Sequence, residues 1–112
     1  SNMKVEQKGH TTTIKDTESS FEAFLEKLTT QYNSYKSVNL IIDVTHDKTF
    51  NMSCLKQFSD LAKMHKKNKK SFVVVAEDID FNKVPTSINT VPSLLEAHDI
   101  IEMEEIERDL GF

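Results

Sequence analysis

The chain has 112 residues, the size of one compact domain, and its 38% hydrophobic and 29% charged content places it among ordered globular chains rather than disordered ones. A net charge of −4 disfavours general affinity for nucleic acid, the single cysteine, Cys54, excludes an intrachain disulfide or thiolate metal cage, and two glycines cannot build a phosphate loop. The longest apolar runs, Leu40-Ile41-Ile42 and 72–76, fall far short of the roughly 20 residues that cross a bilayer, so a soluble cytoplasmic protein without membrane contact is expected.

Ser1 and Asn2 read as a tag remnant before an initiator Met3, leaving one domain over 4–112. Val5, Gly9 and the β-branched run Thr11-Thr12-Thr13-Ile14 predict a short N-terminal strand or strand pair with a polar pattern. Ser19-Ser20-Phe21-Glu22 fits a capping box, in which the Ser19 hydroxyl and the Glu22 carboxylate satisfy free backbone N–H groups. Phe21, Phe24, Leu25, Leu28, Tyr32 and Tyr35 then recur at helical spacing, which predicts a helix over 20–35.

Asn39 to Thr45 is a short apolar, β-branched run without alternation, the pattern of a central parallel strand covered on both faces. Asn51 can cap a helix over 52–68, with Leu55, Phe58, Leu61, Ala62 and His65 on one face and lysines mostly off it. Phe72-Val73-Val74-Val75-Ala76 is a second buried strand. From 78 to 87 the pattern dissolves, and Ser87-Ile88-Asn89-Thr90 is at most a short further strand. Ser93 and Glu96 form a second capping box for a helix over 92–109, along which Leu94, Ala97, Ile101, Met103, Ile106 and Leu110 keep a rough repeat up to Gly111. Alternating strands and helices of this kind yield an α/β fold: a mostly parallel or mixed sheet of four to five strands with about three helices.

Asp43-Val44-Thr45, a short loop, and Asn51-Met52-Ser53-Cys54-Leu55 resemble the strand-loop-helix signature of the STAS family, in which Asp-Leu-Ser is followed by a short apolar loop and Asp-Ser-Ser-Gly-Leu. Asp43 matches the strand-end Asp and Leu55 the Leu. Asn51 stands at the second Asp, Met52 at the phosphorylatable Ser, Ser53 at the next Ser and Cys54 at the Gly. The last helix, with Met103, Ile106, Arg108 and Leu110, is also similar to that of short bacterial STAS-like proteins, some of them grouped with ribonuclease Z. The resemblance covers about the last two thirds of the chain. It implies a STAS-like fold with abbreviated N-terminal strands and a missing or shortened helix near 78–87.

The resemblance also implies a non-catalytic regulatory domain like an anti-sigma-factor antagonist, with no cofactor or metal and with a degenerate phosphorylation site, since Met52 has no hydroxyl. Its docking residues would be Asp43, Thr45, Asn51, Met52, Ser53 and Leu55, at a helix N-terminus where free N–H groups favour anions. Met103, Ile106, Arg108 and Leu110 would supply a second surface for a partner or a second copy of the chain. The partner would be a kinase-like anti-sigma factor or a nuclease.

An alternative reading makes the chain an RNA-associated accessory of a processing nuclease of the ribonuclease Z neighbourhood, without a metal site of its own. Lys63, Lys66, Lys67, Lys69 and Lys70 form the basic run that this reading would use, although no aromatic or Arg is interleaved for base stacking. The four histidines, His10, His46, His65 and His98, match no metal-ligand spacing, and His65 reads as a packed residue. Cys54 reads as a small packing residue.

Overall fold

A computed structural model describes residues 3–18 and 20–111. Its architecture is α/β. A five-stranded mixed sheet has the order β1 (Met3–Lys8), β2 (Thr11–Asp16), β3 (Asn39–Asp43), β4 (Phe72–Val75) and β5 (Asn89–Val91). β1 and β2 form an antiparallel hairpin, and every other neighbouring pair is parallel. The helices are α1 (Phe21–Thr30), α2 (Met52–Lys56), α3 (Ser59–Lys67) and α4 (Leu94–Asp109). This is consistent with a small STAS-like α/β fold, with a single 3₁₀ turn at Phe81–Lys83 where a full helix would cross from β4 to β5.

The two central strands owe their position to composition. All five residues of β3 and all four of β4 are buried, because helices cover both faces of the sheet. Side chains alternate across the sheet, so Leu40 and Ile42 join Ile14, Phe72 and Val74 beneath α1, α2 and α3. Ile41, Val73 and Val75 face the other way and pack on Ala97 and Ile101 of α4. Each such aliphatic side chain contributes about 1.5–3 kcal/mol when fully removed from water. The larger core also holds edge-to-face aromatic contacts from Phe21 to Phe50 and from Phe21 to Phe58, each with ring centroids 5.5 Å apart.

The N-terminal strands, expected to be abbreviated, run six residues each. β1 is an edge strand whose side chains beyond Met3 are exposed, so nothing imposes apolar alternation on it. The two-residue turn closes through Gly9, whose φ of +60° is a value that suits glycine.

The helix expected over 20–35 ends earlier, at Thr30, where the Thr30 hydroxyl donates to the Glu26 carbonyl; a 3₁₀ turn at Tyr32–Ser34 follows. Ser19, the expected capping residue, lies outside the described residues, and Ser20 stands at the N-cap without a side-chain hydrogen bond.

The helix expected over 52–68 is two helices. Gln57 and Phe58 donate to the carbonyls of Cys54 and Leu55, three residues back, and this tighter turn redirects the chain so that Leu55 and Phe58 both reach the core.

α4 departs most from its expected face. Only Ala97 and Ile101 are buried, whereas Leu95, Met103, Ile106 and Leu110 are 73%, 63%, 52% and 67% exposed. The rough apolar repeat read along this helix therefore mixes two faces. At about 100° per residue, the four exposed side chains share one quadrant and Arg108 points nearly opposite. Among the described residues, no helix is long and apolar enough to cross a membrane.

Candidate functional site

The loop from β3 to α2 lies beyond the C-terminal end of the parallel strands, where open α/β sheets place ligand and partner sites. Its shape is set by an Asp-x-Thr unit used twice. Asp43 Oδ1 accepts hydrogen bonds from the Thr45 N–H (3.0 Å) and hydroxyl (2.7 Å). Asp47 Oδ1 accepts from the Thr49 N–H (2.9 Å) and hydroxyl (2.6 Å). Each unit fixes a local turn by offering the backbone a side-chain acceptor. Both aspartates are buried, so this polar scaffold lies under the surface.

Phe50 then anchors the end of the loop against Phe21 and Phe58. Asn51 caps α2, its Oδ1 accepting from the Cys54 N–H at 3.1 Å. Asn51 and Ser53 are exposed, Met52 and Cys54 are half-buried against the core, and Leu55 is fully buried.

The six residues named from sequence for docking thus divide by role. Asn51 and Ser53 face outward, with Thr45 and Met52 half-buried beside them, whereas Asp43 and Leu55 are buried and hold the turn in place. The anion-binding argument loses force here, because α2 has only five residues and the Cys54 N–H is already taken by Asn51. The cavity beneath the loop, lined partly by Thr45, Asp47 and Phe50, has a volume of only about 20 Å³. That is room for about one water molecule, so this end of the sheet presents an outer surface rather than a chamber for a substrate.

A third buried acid lies at the same end. Asp16, at the end of β2, accepts from the Glu18 N–H through Oδ1 at 3.0 Å. Oδ2 of Asp16 and Oδ2 of Asp47 are buried without a hydrogen-bond partner among the described residues. Burial raises the Asp16 pKa above the usual carboxylate value; the Glu18 N–H opposes this, and the nearby Asp47 charge adds to it. Among the described residues, no three His, Cys, Asp or Glu side chains gather as a metal site.

The surface named on α4 also divides. Met103, Ile106 and Leu110 are outward-facing, but Arg108 turns inward, donating to Ser71 Oγ (3.2 Å) and Asn39 Oδ1 (3.3 Å). Ser71 in turn donates to Glu104 Oε1 at 2.6 Å, so Arg108 belongs to a polar network joining α4 to the starts of β3 and β4. His65 is buried and hydrogen-bonded at both ring nitrogens, as a packed histidine.

Sequence reasoning missed the scaffold, although its signal is present: Asp43-Val44-Thr45 and Asp47-Lys48-Thr49 repeat the same turn-forming pattern four residues apart. Compared with models of known protein families and with curated proteins, the chain matches none.

Proposed function

We propose that the chain is a non-catalytic interaction domain that captures a partner protein through the turn from Asn51 to Ser53, as its resemblance to anti-sigma-factor antagonists implies. The observation that carries this reading is the presentation of Asn51 and Ser53, both exposed, on a short turn pinned from below by Asp43, Asp47, Phe50 and Leu55. A turn held in one conformation before binding loses little entropy when a partner docks.

The partner that fits the resemblance is a kinase-like anti-sigma factor in the cytoplasm. Met52 is half-buried and carries no hydroxyl, so phosphorylation at this turn would fall to the exposed Ser53. The apolar stripe Leu95, Met103, Ile106 and Leu110 on α4 gives a second contact surface, open to a partner or to another copy of the chain.

Affinity capture from host lysate with wild-type, Asn51→Arg and Ile106→Glu baits, quantified by mass spectrometry, tests the assignment. Asn51→Arg is expected to lose a protein that wild-type and Ile106→Glu both retain. Equal recovery by Asn51→Arg and wild-type contradicts docking through the turn.

A further inference from the structure

At the opposite end of the sheet, the missing crossover helix leaves a groove. The segment from β4 to β5 packs on the same face as α1 and α3, through Ile79, Val84 and Ile88, but contributes only a 3₁₀ turn there. Between α3, the start of β4, the 86–89 segment and the last turns of α4 remains a half-open cavity of about 590 Å³. This falls within the usual range of small-molecule sites.

Its walls are chemically unequal. Ala62 and Phe72 contribute apolar surface, and Lys66, Lys69, Lys70 and Arg108 supply four cations. Arg108 is engaged by Ser71 and Asn39, and Glu104 by Ser71 and Asn89. Lys66, Lys69 and Lys70 have no ion-pair partner among the described residues. Thr86, Ser87 and Glu107 line the same groove.

Lysines at a helix end ordinarily complement its dipole, which accounts for Lys66 and Lys67. It does not account for Lys69. The Lys69 N–H donates to the Lys66 carbonyl and the Lys70 N–H to the His65 carbonyl, the paired bonds of a helix stop whose left-handed residue is usually glycine. Lys69 occupies that position with φ +61°. Glycine is the unstrained choice there, yet the position carries a long cationic side chain that lines the cavity.

We propose that this groove binds a small phosphorylated sugar, its phosphate held by Lys66, Lys69 and Lys70 and its hydroxyls by Glu107, Thr86 and Ser87. The groove offers a phosphate three lysines without an ion pair among the described residues, and a carboxylate with two hydroxyl-bearing residues along the same lining suits sugar hydroxyls. The site stands apart from the Asn51 turn and does not depend on the docking reading.

Amide NMR titration of the whole chain with ribose 5-phosphate and, separately, with inorganic phosphate tests the proposal. Ribose 5-phosphate is expected to give saturable shifts at residues 66–70, 86–89 and 104–111, with inorganic phosphate binding about tenfold more weakly. Lys69→Gly, which relieves the left-handed backbone and so remains folded, should weaken both ligands. Glu107→Gln should weaken ribose 5-phosphate alone. Equal affinity for the two ligands, no saturation by about 10 mM, or shifts produced only by a single-stranded oligoribonucleotide overturns the proposal, the last by assigning the lysines to RNA.

Discussion

The Tyr32 hydroxyl donates a 2.6 Å hydrogen bond to Nδ1 of His65, while Nε2 of the same ring donates one of 2.7 Å to the Val38 carbonyl. A carbonyl can only accept, so Nε2 carries the proton and Nδ1 is the acceptor in the neutral ring. The pair ties the end of α3 to the segment between α1 and β3, and Asn68 adds a 3.2 Å bond to the Tyr32 oxygen. Tyr32→Phe leaves a buried ring nitrogen unpaired and is expected to cost about 1–3 kcal/mol in urea unfolding.

The same histidine predicts a pH response. Burial lowers its pKa in the folded state; the Val38 carbonyl opposes this, and the charges of Lys70 and Arg108 add to the lowering. Above the unfolded value of about 6.5 both states hold a neutral ring, and the contribution to stability is complete. As pH falls below that value the unfolded chain takes up a proton that the folded chain refuses, so stability declines towards the lowered folded pKa. Urea midpoints for wild-type are expected to drop between pH 7.5 and 5.5 by more than those of His65→Gln.

Asp16 acts with the opposite sign. Its pKa is raised by burial, so its contribution is largest below the unfolded value of 3.8 and is lost as pH rises through the folded value. Asp16→Asn keeps an acceptor for the Glu18 N–H and removes the buried ionisable group. It is expected to stabilise the fold at pH 7 by about 1–2 kcal/mol, and a thermal melt that moves downward would contradict this.

Lys69→Gly removes a left-handed β-carbon conflict at the end of α3. The relief exceeds the entropy that glycine adds to the unfolded chain, so a gain of about 0.5–1 kcal/mol is expected in denaturant titration.

Two isoleucines five residues apart on α4 should separate sharply. Ile101 is 3% exposed against β3 and β4, and Ile101→Ala is expected to cost about 2–4 kcal/mol. Ile106 is outward-facing, and Ile106→Ala should stay within about 0.5 kcal/mol of wild-type. Chemical unfolding of both variants checks the contrast.

What could be read in the sequence follows how directly each residue states its environment. β3 and β4 were legible because a strand buried on both faces must be apolar throughout, as Leu40-Ile41-Ile42 and Phe72-Val73-Val74-Val75 are. The caps Asn51 and Ser93 were legible because their side chains accept N–H bonds three residues ahead. The turn between α2 and α3 was hidden because Leu55 and Phe58 keep helical spacing through it. The exposed stripe on α4 was legible in part, as Met103, Ile106 and Leu110, but Leu95 was missed and Arg108 wrongly included, because Leu looks alike in the core and on a contact surface and an Arg can turn inward to polar partners. The loop scaffold of Asp43 and Asp47 was present as a repeated Asp-x-Thr, but its burial depends on Phe50 and on the ends of neighbouring strands. The absent helix at 78–87 and the lysine run were legible, but not that they meet in one groove, since this depends on how α3, the 86–89 segment and the end of α4 pack.

Site-specific photocrosslinking in host cells tests whether a partner docks on the turn at Asn51 to Ser53. A benzophenone amino acid replaces Ser53 in one variant and Lys36, an exposed residue at the other end of the sheet, in a second. Docking there gives a discrete heavier adduct from position 53 and none from position 36; no adduct at 53, or the same adducts from both positions, would contradict docking through the turn.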